Sequence, residues 1–490
     1  MLSRLFARIS KIKRIEYYLL ALIIIGGFGA RLYKINNPIA DWHSFRQADT
    51  ASVSRIYVEE GINLLFPRYH DVSSTQSRNY NPQGYRFVEF PLYNAAHALL
   101  AKTFGLFSLE VWGRLTSIFF WVGSTLVVFA LGVRFIGRFG GVLSAFFYSF
   151  LPYNIYFTRV ILPEPAAIFF GLLGLWLFVL FIDNKKDLAL WLSGLSFAVA
   201  LLIKPFMGFY LVPAGYLLFK SYPLKTILKT PNVLIRYLVF ACLIIVPFGL
   251  WRIWINKFPA GVPDYLWMFN GDGIRFRPAF WKWIFGERLT GLILGFWGIV
   301  LFVLGLISPK SKSGFINFFL LGMFAYVAVF ATVNVRHDYY QLIAVPTICL
   351  AVSRGFIYLW ETREFGRLGA KLLAVFSVFI MFVAGAVGVK EFYKINHPEI
   401  IEAGEAIDAI APKDAMLIAP YNGDTAFLYQ TKRRGWPVID TSVDEIIQRG
   451  ADYYVTVSLG DADTSMITGR FEVIKRTNTY LIVDLHKPKK

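Results

Sequence analysis

The sequence predicts an α-helical polytopic membrane protein with about eleven transmembrane helices and a small C-terminal α/β domain. Three observations carry that prediction. Of the 490 residues, 56% are hydrophobic and mean hydropathy is +0.52, too apolar for a soluble chain of this length. Apolar runs long enough to cross a bilayer recur up to residue 390. The short connections between them are basic in an alternating order, as multi-pass topology requires.

The runs place helices near 15–35, 111–133, 140–158, 162–182, 188–204, 206–220, 233–255, 290–308, 314–333, 339–360 and 369–390. The first follows a basic segment and reaches Arg31 with no small-residue cleavage site, so it reads as a retained anchor and not a removed signal peptide. The segment 92–107 is interrupted by His97 and Lys102 and reads as a helix lying at the membrane interface. The N-terminus carries Arg4, Arg8, Lys11, Lys13 and Arg14, which places it in the cytoplasm. The inner connections then hold Arg134 and Arg138, Lys185 and Lys186, Lys220, Lys225 and Lys229, Lys310 and Lys312, and Arg363 and Arg367. The long loops 36–110 and 257–289 and the tail from 391 all fall outside. The 13 Trp and 26 Tyr suit belts at the two interfaces. The net charge of +18 is accounted for by cytoplasmic loops, so nucleic acid is not an expected partner. Cys242 and Cys349 both lie inside apolar runs, far apart, and read as small core residues without a disulfide or thiolate metal site.

The expected domains are 1–390, a transmembrane domain with the loops 36–110 and 257–289, and 391–490, a soluble extracytoplasmic domain. In the tail, Met416–Ala419 reads as a strand, Asn422-Gly423-Asp424 as a turn, and the residues to Gln430 as a helix. A second helix signal runs from Val443 to Arg449, and further strands cover Tyr453–Ser458 and Tyr480–Leu485. Strands alternating with helices suggest an α/β domain. It has no Gly-rich phosphate fingerprint, so its expected role is structural or acceptor-guiding.

The chemistry concentrates in Asp41-Trp42-His43-Ser44-Phe45-Arg46-Gln47-Ala48-Asp49-Thr50, directly after the first apolar run. Polar groups beside a hydrocarbon slab are costly unless used. Glu164 lies in Leu162-Pro163-Glu164-Pro165, Lys204 precedes Pro205, and Arg336, His337, Asp338, Tyr339 and Tyr340 open a later helix. All fall on the predicted outer side. Asp41, Asp49 and Glu164 are the candidate catalytic acids, because a carboxylate can deprotonate an acceptor. Lys204, Arg336, His337 and Arg46 are candidate donor-phosphate ligands, because cations stabilise charge on a departing phosphate. His43, Glu89, Tyr339 and Tyr340 are candidate substrate contacts. Bland readings compete at each position. Asp41 marks a water boundary, and Asp49 pairs with Arg46 or Arg55 or caps a helix from Thr50. Glu164 and Glu89 are first-turn charges, Lys204 snorkels, and the 336–340 run is an aromatic belt. A divalent cation held by Asp41, His43 and Glu164 is the one cofactor considered. The spacing carries no metal signature, so no metal is assigned.

Taken together the chain resembles the GT-C superfamily of integral-membrane glycosyltransferases. The branch it is most similar to holds the dolichyl-phosphate-mannose protein mannosyltransferases and the lipid A aminoarabinose transferases. The motifs that carry the resemblance are Arg46-Gln47-Ala48-Asp49-Thr50-Ala51, Arg55 with Gly61, Glu89-Phe90-Pro91-Leu92 and Gly113-Arg114-Leu115. Leu162-Pro163-Glu164-Pro165, Ile203-Lys204-Pro205 and His337-Asp338-Tyr339-Tyr340 follow in order. The resemblance implies a GT-C fold and inverting transfer from an undecaprenyl- or dolichyl-phosphate sugar to a protein, lipid or glycan acceptor. It also implies an acid of the first outer loop as general base. The family's Asp-Glu pair would fall on Arg46-Gln47 here. The acids are instead Asp41, ranked first because it comes soonest after the helix, and Asp49. Glu164 matches the acid of the family's second outer loop. Lys204, Arg336 and His337 match positions facing the lipid phosphate. Cell-envelope glycosylation at a prokaryotic plasma membrane, the inner membrane, is the expected setting. A transporter or flippase of lipid-linked sugars is the alternative, and it expects repeated halves and charges at mid-membrane depth, neither of which the sequence shows. A non-catalytic assembly protein of the same fold is the other, kept open by the displaced acid pair.

Overall fold

The computed structural model describes residues 14–308, 314–364 and 366–489. The basic positions Arg4, Arg8, Lys11, Lys13, Lys310 and Lys312 used for the topology lie outside the described residues. The described chain packs as two compact units. One takes in residues 14–33, 117–250 and 265–390; the other 34–116, 251–264 and 391–489.

The first unit is helical and hydrophobic, as a multi-pass membrane protein must be. Among the described residues five helices are long and apolar enough to cross a bilayer: Leu109–Phe135, Glu164–Asn184, Pro231–Ile255, Asp338–Glu361 and Arg367–Tyr393. The pair Pro278–Ile293 and Gly298–Ile307 makes a sixth if its 116° bend is one broken span, and Asp187–Ile203 and Phe315–Val329 are shorter. Helices occur near every expected position, but five are not the uniform rods the apolar runs suggested; one of them, 314–333, divides at Phe330 into Phe315–Val329 and Ala331–Arg336. The run 140–158 divides into Arg138–Phe150 and Pro152–Phe157, because Pro152 forces Leu151 out of the helical region, at ψ 121°. The run 206–220 opens with a 3₁₀ turn, Pro205–Tyr210, before Leu211–Ser221. The run 339–360 likewise opens with a 3₁₀ segment, Asp338–Ala344. The run 290–308 breaks where Gly295 and Phe296 take φ of 48° and 61°, after a π-helical stretch Lys282–Ile293. The expectation that both cysteines are core residues is corrected at Cys242, which is exposed. Its helix Pro231–Ile255 is apolar all round with 6% of its span buried, so hydrophobicity there does not mean internal packing.

Close packing in this unit rests on small residues. A Cβ on Gly355 would lie 1.8 Å from the Leu301 carbonyl oxygen, and one on Gly305 would lie 1.9 Å from that of Ala351. Helices Gly298–Ile307 and Val345–Glu361 therefore touch backbone to backbone. Gly355→Ala is expected to lower stability by about 1–3 kcal/mol, the usual cost of overpacking. Gly369→Ala, inside helix Arg367–Val389 and where a Cβ meets nothing within 4 Å, is expected to raise it by up to about 1 kcal/mol. Thermal unfolding in detergent compares the two directly.

The second unit is built on a five-stranded sheet: β1 (Met416–Ile418), β2 (Arg434–Trp436), β3 (Ala451–Thr456), β4 (Phe471–Arg476) and β5 (Leu481–Pro488). The order is β2-β1-β3-β5-β4. β1 pairs in parallel with β2 and β3; β5 runs antiparallel to β3 and β4. The α/β expectation and the elements at 416–419, 425–430, 443–449, 453–458 and 480–485 are all present within a few residues. β2, β4 and the helix Ala462–Arg470 had no clear signal, because short strands and a Thr- and Asp-rich helix lack periodicity, whereas Glu399–Ile410 is an addition to the expected elements although Ile400, Ala403, Gly404 and Ile407 recur at helical spacing. The loop between the first two long helices is woven into this sheet. The Gly435 N–H donates to the His70 carbonyl and the Val72 N–H to the Gly435 carbonyl, both at 2.9 Å, so residues 70–72 cover the β2 edge. Val72 joins Ile418, Trp436, Tyr454, Leu481 and Val483 in the core. The compact unit that contains the tail thus also contains residues 34–116 and 251–264.

Candidate functional site

In the second unit the acidic stretch forms one helix, Ser44–Glu60. It starts six residues before Thr50, the start expected from the sequence, with His43 before it at φ 55°. That left-handed residue turns the chain so that Asp41 stands beside the first turn. The helix is polar yet largely buried: Arg46, Gln47, Asp49, Thr50, Ser52, Ser54 and Arg55 are all at most 8% exposed. Burial of so many polar groups demands a partner for each.

Asp41 is 4% exposed, and Gln47 Nε2 donates to its Oδ1 at 2.7 Å. Asp49 is 3% exposed. Arg86 donates to Oδ2, Arg46 Nη1 lies 3.9 Å from the same oxygen, and Thr425 Oγ1 donates to Oδ1 at 2.7 Å. Arg46 also donates to Glu89. Arg46, Asp49, Arg86 and Glu89 therefore form a buried quartet of balanced charge. The cavity they line with Thr50 and Asn94 is about 10 Å³, close to the least that holds one water molecule. His43 is half-buried, with its ring edge-on to Trp42 and Phe45, and Trp42 stacks on Phe392 at 5.0 Å.

Below this, Arg55 lies 3.7 Å over the Tyr429 ring and donates to the Tyr429 carbonyl at 2.8 Å and to Glu110 at 3.2 Å. Arg114 of the Gly113-Arg114-Leu115 motif donates to the carbonyls of Ile35 and Asn37 at 2.7 and 2.5 Å. Its role is to hold the chain that leads into Asp41.

Two carboxyls of this unit titrate above the usual carboxylate range. Asp71 is fully buried, and burial pushes it up to about 6 against hydrogen bonds from Ser73 and Tyr69. Asp424, the cap of helix Thr425–Gln430, is pushed up to about 6 by burial, eased by the Ala426 N–H and reinforced by nearby Asp49. A group raised from 3.8 in the fold favours folding below the unfolded value and loses that contribution as pH rises through the folded value. Their share of stability therefore falls between pH 4 and 6. Asp71→Asn is expected to flatten this loss and to stabilise the protein at pH 7 relative to pH 4 by at most about 3 kcal/mol, two units at 1.36 kcal/mol each. Melting curves of both proteins across that range test it; a difference that does not vary with pH contradicts it.

In the helical unit the candidates meet in part. Glu164 is fully buried at the start of Glu164–Asn184, and Lys204 Nζ lies 2.9 Å from its Oε1. The contact is ionic and poorly aligned for a hydrogen bond. The Lys204 ammonium is 5.5 Å from the centre of the Tyr340 ring. His337, Tyr339 and Tyr340 form a ring cluster, with Tyr339 and Tyr340 4.4 Å apart. Arg336 is not drawn in with them. It is exposed, pairs with Asp272 at 3.2 Å and lies over Trp267. The cation that enters the interior there is Arg288, 3.4 Å from Asp338 and 3.2 Å from the Val335 carbonyl. Sequence reasoning missed it because it sits in a stretch without regular helical period. Arg86 and Thr425 were missed for a different reason: each lies in an ordinary loop or cap pattern, and its importance comes only from Asp49.

The same unit holds an apolar cavity of about 360 Å³, lined among others by Phe285, Leu289, Phe302, Met323, Phe324 and Gln341. It follows helix Phe315–Val329 from Asn317 to Val327, roughly 15 Å at 1.5 Å per residue. Its size is in the range of small-molecule sites. Among the described residues no group of three His, Cys, Asp or Glu side chains is arranged to hold a metal ion.

A family model described as dolichyl-phosphate-mannose-protein mannosyltransferase matches residues 90–251. No curated protein sequence matches the chain significantly. Among solved structures, the chain is similar to ArnT from Cupriavidus metallidurans bound to undecaprenyl phosphate. The TM-score is 0.63 at 12% identity, over 95% of this chain and 97% of that one. It is also similar to the archaeal oligosaccharyltransferase AglB from Archaeoglobus fulgidus, in complex with an inhibitory peptide and a dolichol-phosphate. There the TM-score is 0.56 at 10% identity, over 96% of this chain and 74% of that one. Mycobacterial arabinofuranosyltransferase AftD matches with a TM-score of 0.59 at 12% identity, over 95% of this chain and 40% of that one. The chain has the GT-C fold.

Proposed function

We propose that this chain is an inverting glycosyltransferase that moves a sugar from a polyprenyl phosphate to a protein, lipid or glycan acceptor at the outer face of a plasma membrane. The observation that carries the reading is the apolar cavity of about 360 Å³ in the helical unit, about 15 Å long, one of whose lining residues, Leu289, follows the cation Arg288 in the chain. An isoprenoid chain suits such a slot, and a cation suits its phosphate. The fold it shares with ArnT and AglB, solved with undecaprenyl phosphate and dolichol-phosphate, supports the same donor class.

Asp41 is the general base in this reading. It is the first acid after the first apolar run and stands just before the acidic helix, whereas Asp49 is committed to two guanidiniums and a hydroxyl. Asp41 takes the acceptor's proton as the acceptor oxygen attacks the anomeric carbon. The bond from that carbon to the phosphate breaks, and polyprenyl phosphate leaves. Lys204, His337 and Arg288 are assigned to the donor phosphate, Glu164 orients Lys204, and Arg336, exposed against Asp272, is given no part in it. Asp49, Arg46 and Glu89 hold the acidic helix in place. His43, Tyr339 and Tyr340 are assigned to the sugar or acceptor. The N-terminus is assigned to the cytoplasm and the sheet-bearing tail to the opposite side.

The test uses the purified full-length protein in lipid with undecaprenyl-phosphate sugars and candidate acceptors. Sugar-dependent release of polyprenyl phosphate with a matching mass gain on the acceptor is expected. Movement of intact donor between leaflets without release would replace transfer by transport.

A further inference from the structure

Asp49 is fixed by a residue some 376 positions away in the chain, the hydroxyl of Thr425. Thr425 opens the six-residue helix Thr425–Gln430, which Asp424 caps through the Ala426 N–H at 2.7 Å. This helix touches the acidic segment at three places. Gln430 Nε2 donates to the Ile39 carbonyl at 2.9 Å, two residues before Asp41. Thr425 lies 2.7 Å from Asp49 and 3.3 Å from the Phe45 carbonyl. Tyr429 carries Arg55 on its ring and on its carbonyl. A hydroxyl has one proton, and the shorter contact to the carboxylate takes it.

We infer that helix Thr425–Gln430 is a splint that sets the pose of residues 39–55, and that Thr425 is a positioning residue for sugar transfer acting through Asp49. This rests on the glycosyl-transfer reading above. The physical reason is the electrostatics of the buried quartet. Arg86 and Arg46 both occupy Oδ2 of Asp49. Without a donor on Oδ1 the carboxylate is free to rotate toward the guanidiniums, and the first turn, which carries Gln47 and its partner Asp41 beside it, moves with it. A displacement of the order of 1 Å at a reacting group costs roughly a hundredfold in rate.

Thr425→Val keeps the shape and removes the proton; Thr425→Ser keeps the proton. With a polyprenyl-phosphate sugar as donor, Thr425→Val is expected to lower kcat by about 10- to 100-fold with donor KM within about twofold. Thr425→Ser is expected to recover kcat to within about threefold of wild type. A second measurement does not need turnover. Chemical unfolding of Thr425→Val, Asp49→Ala and the double variant forms a cycle in which each single change removes the contact, and strong non-additivity is expected because the two groups touch. Wild-type kcat in Thr425→Val, or equal loss in the Val and Ser variants, overturns the positioning role while leaving the function. Additive unfolding losses overturn it as well. A wild-type chain that transfers nothing overturns the function and the positioning role together, and the cycle then shows whether the splint survives as a purely structural contact.

Discussion

Asp41→Asn is expected to lower kcat for sugar transfer by about 10²–10⁴-fold, the usual share of a general base, with donor KM little changed. The substitution isolates chemistry from folding. Asparagine has the shape of aspartate and retains an oxygen for the Gln47 amide, which donates to Asp41 at 2.7 Å. Melting should therefore be close to wild type. Asp49→Asn should behave in the opposite way. A neutral amide cannot match Arg86 and Arg46, so buried guanidinium charge loses its counterion and stability falls before chemistry is affected. Rates of polyprenyl phosphate release and melting curves, taken on the same preparations, separate the two acids. Retention of more than about a tenth of kcat in Asp41→Asn would remove it as the base.

The second large effect belongs to the Glu164–Lys204 pair. Its members are 0% and 4% exposed in their side chains. Either Glu164→Ala or Lys204→Ala takes the opposite charge away from a buried ion, which is expected to cost about 3–5 kcal/mol. The double variant Glu164→Leu/Lys204→Met removes both charges at similar volume and should recover most of that loss. Unfolding in detergent measures all three, and single-variant losses below about 1 kcal/mol would mean that water reaches the pair. The double variant also bears on function. If it folds as wild type yet releases no polyprenyl phosphate, the pair serves the donor and not the fold alone.

Much of the architecture was legible because it follows from solvent. Apolar length specifies helices wherever a bilayer takes the place of water, and their positions agree with the runs read from the sequence. The breaks were less legible. Pro152 announces its own, but the bend at Gly295 and Phe296 depends on backbone angles that hydropathy does not register. The candidate residues were found in part because polar groups in an apolar chain are conspicuous. Asp41, Asp49, Glu164 and Lys204 all proved to be buried, at 4% exposure or less. Arg336 had the same sequence signal and lies exposed against Asp272, while Arg288, with a weaker one, points inward to Asp338.

By itself the sequence determined the membrane class, the approximate place of each helix, the α/β character of the tail and the stretch where charge gathers. Each is a consequence of local composition, hydrophobic length or period. Only the tertiary structure decided that Asp49 is tied to Arg86 and Thr425, that Arg46 answers Glu89, and that residues 70–72 complete a sheet begun after residue 415. Those pairings join side chains 37, 43 and 376 positions apart. Buried charges must find partners wherever the fold brings them within about 3 Å, and no local pattern in the chain encodes that distance.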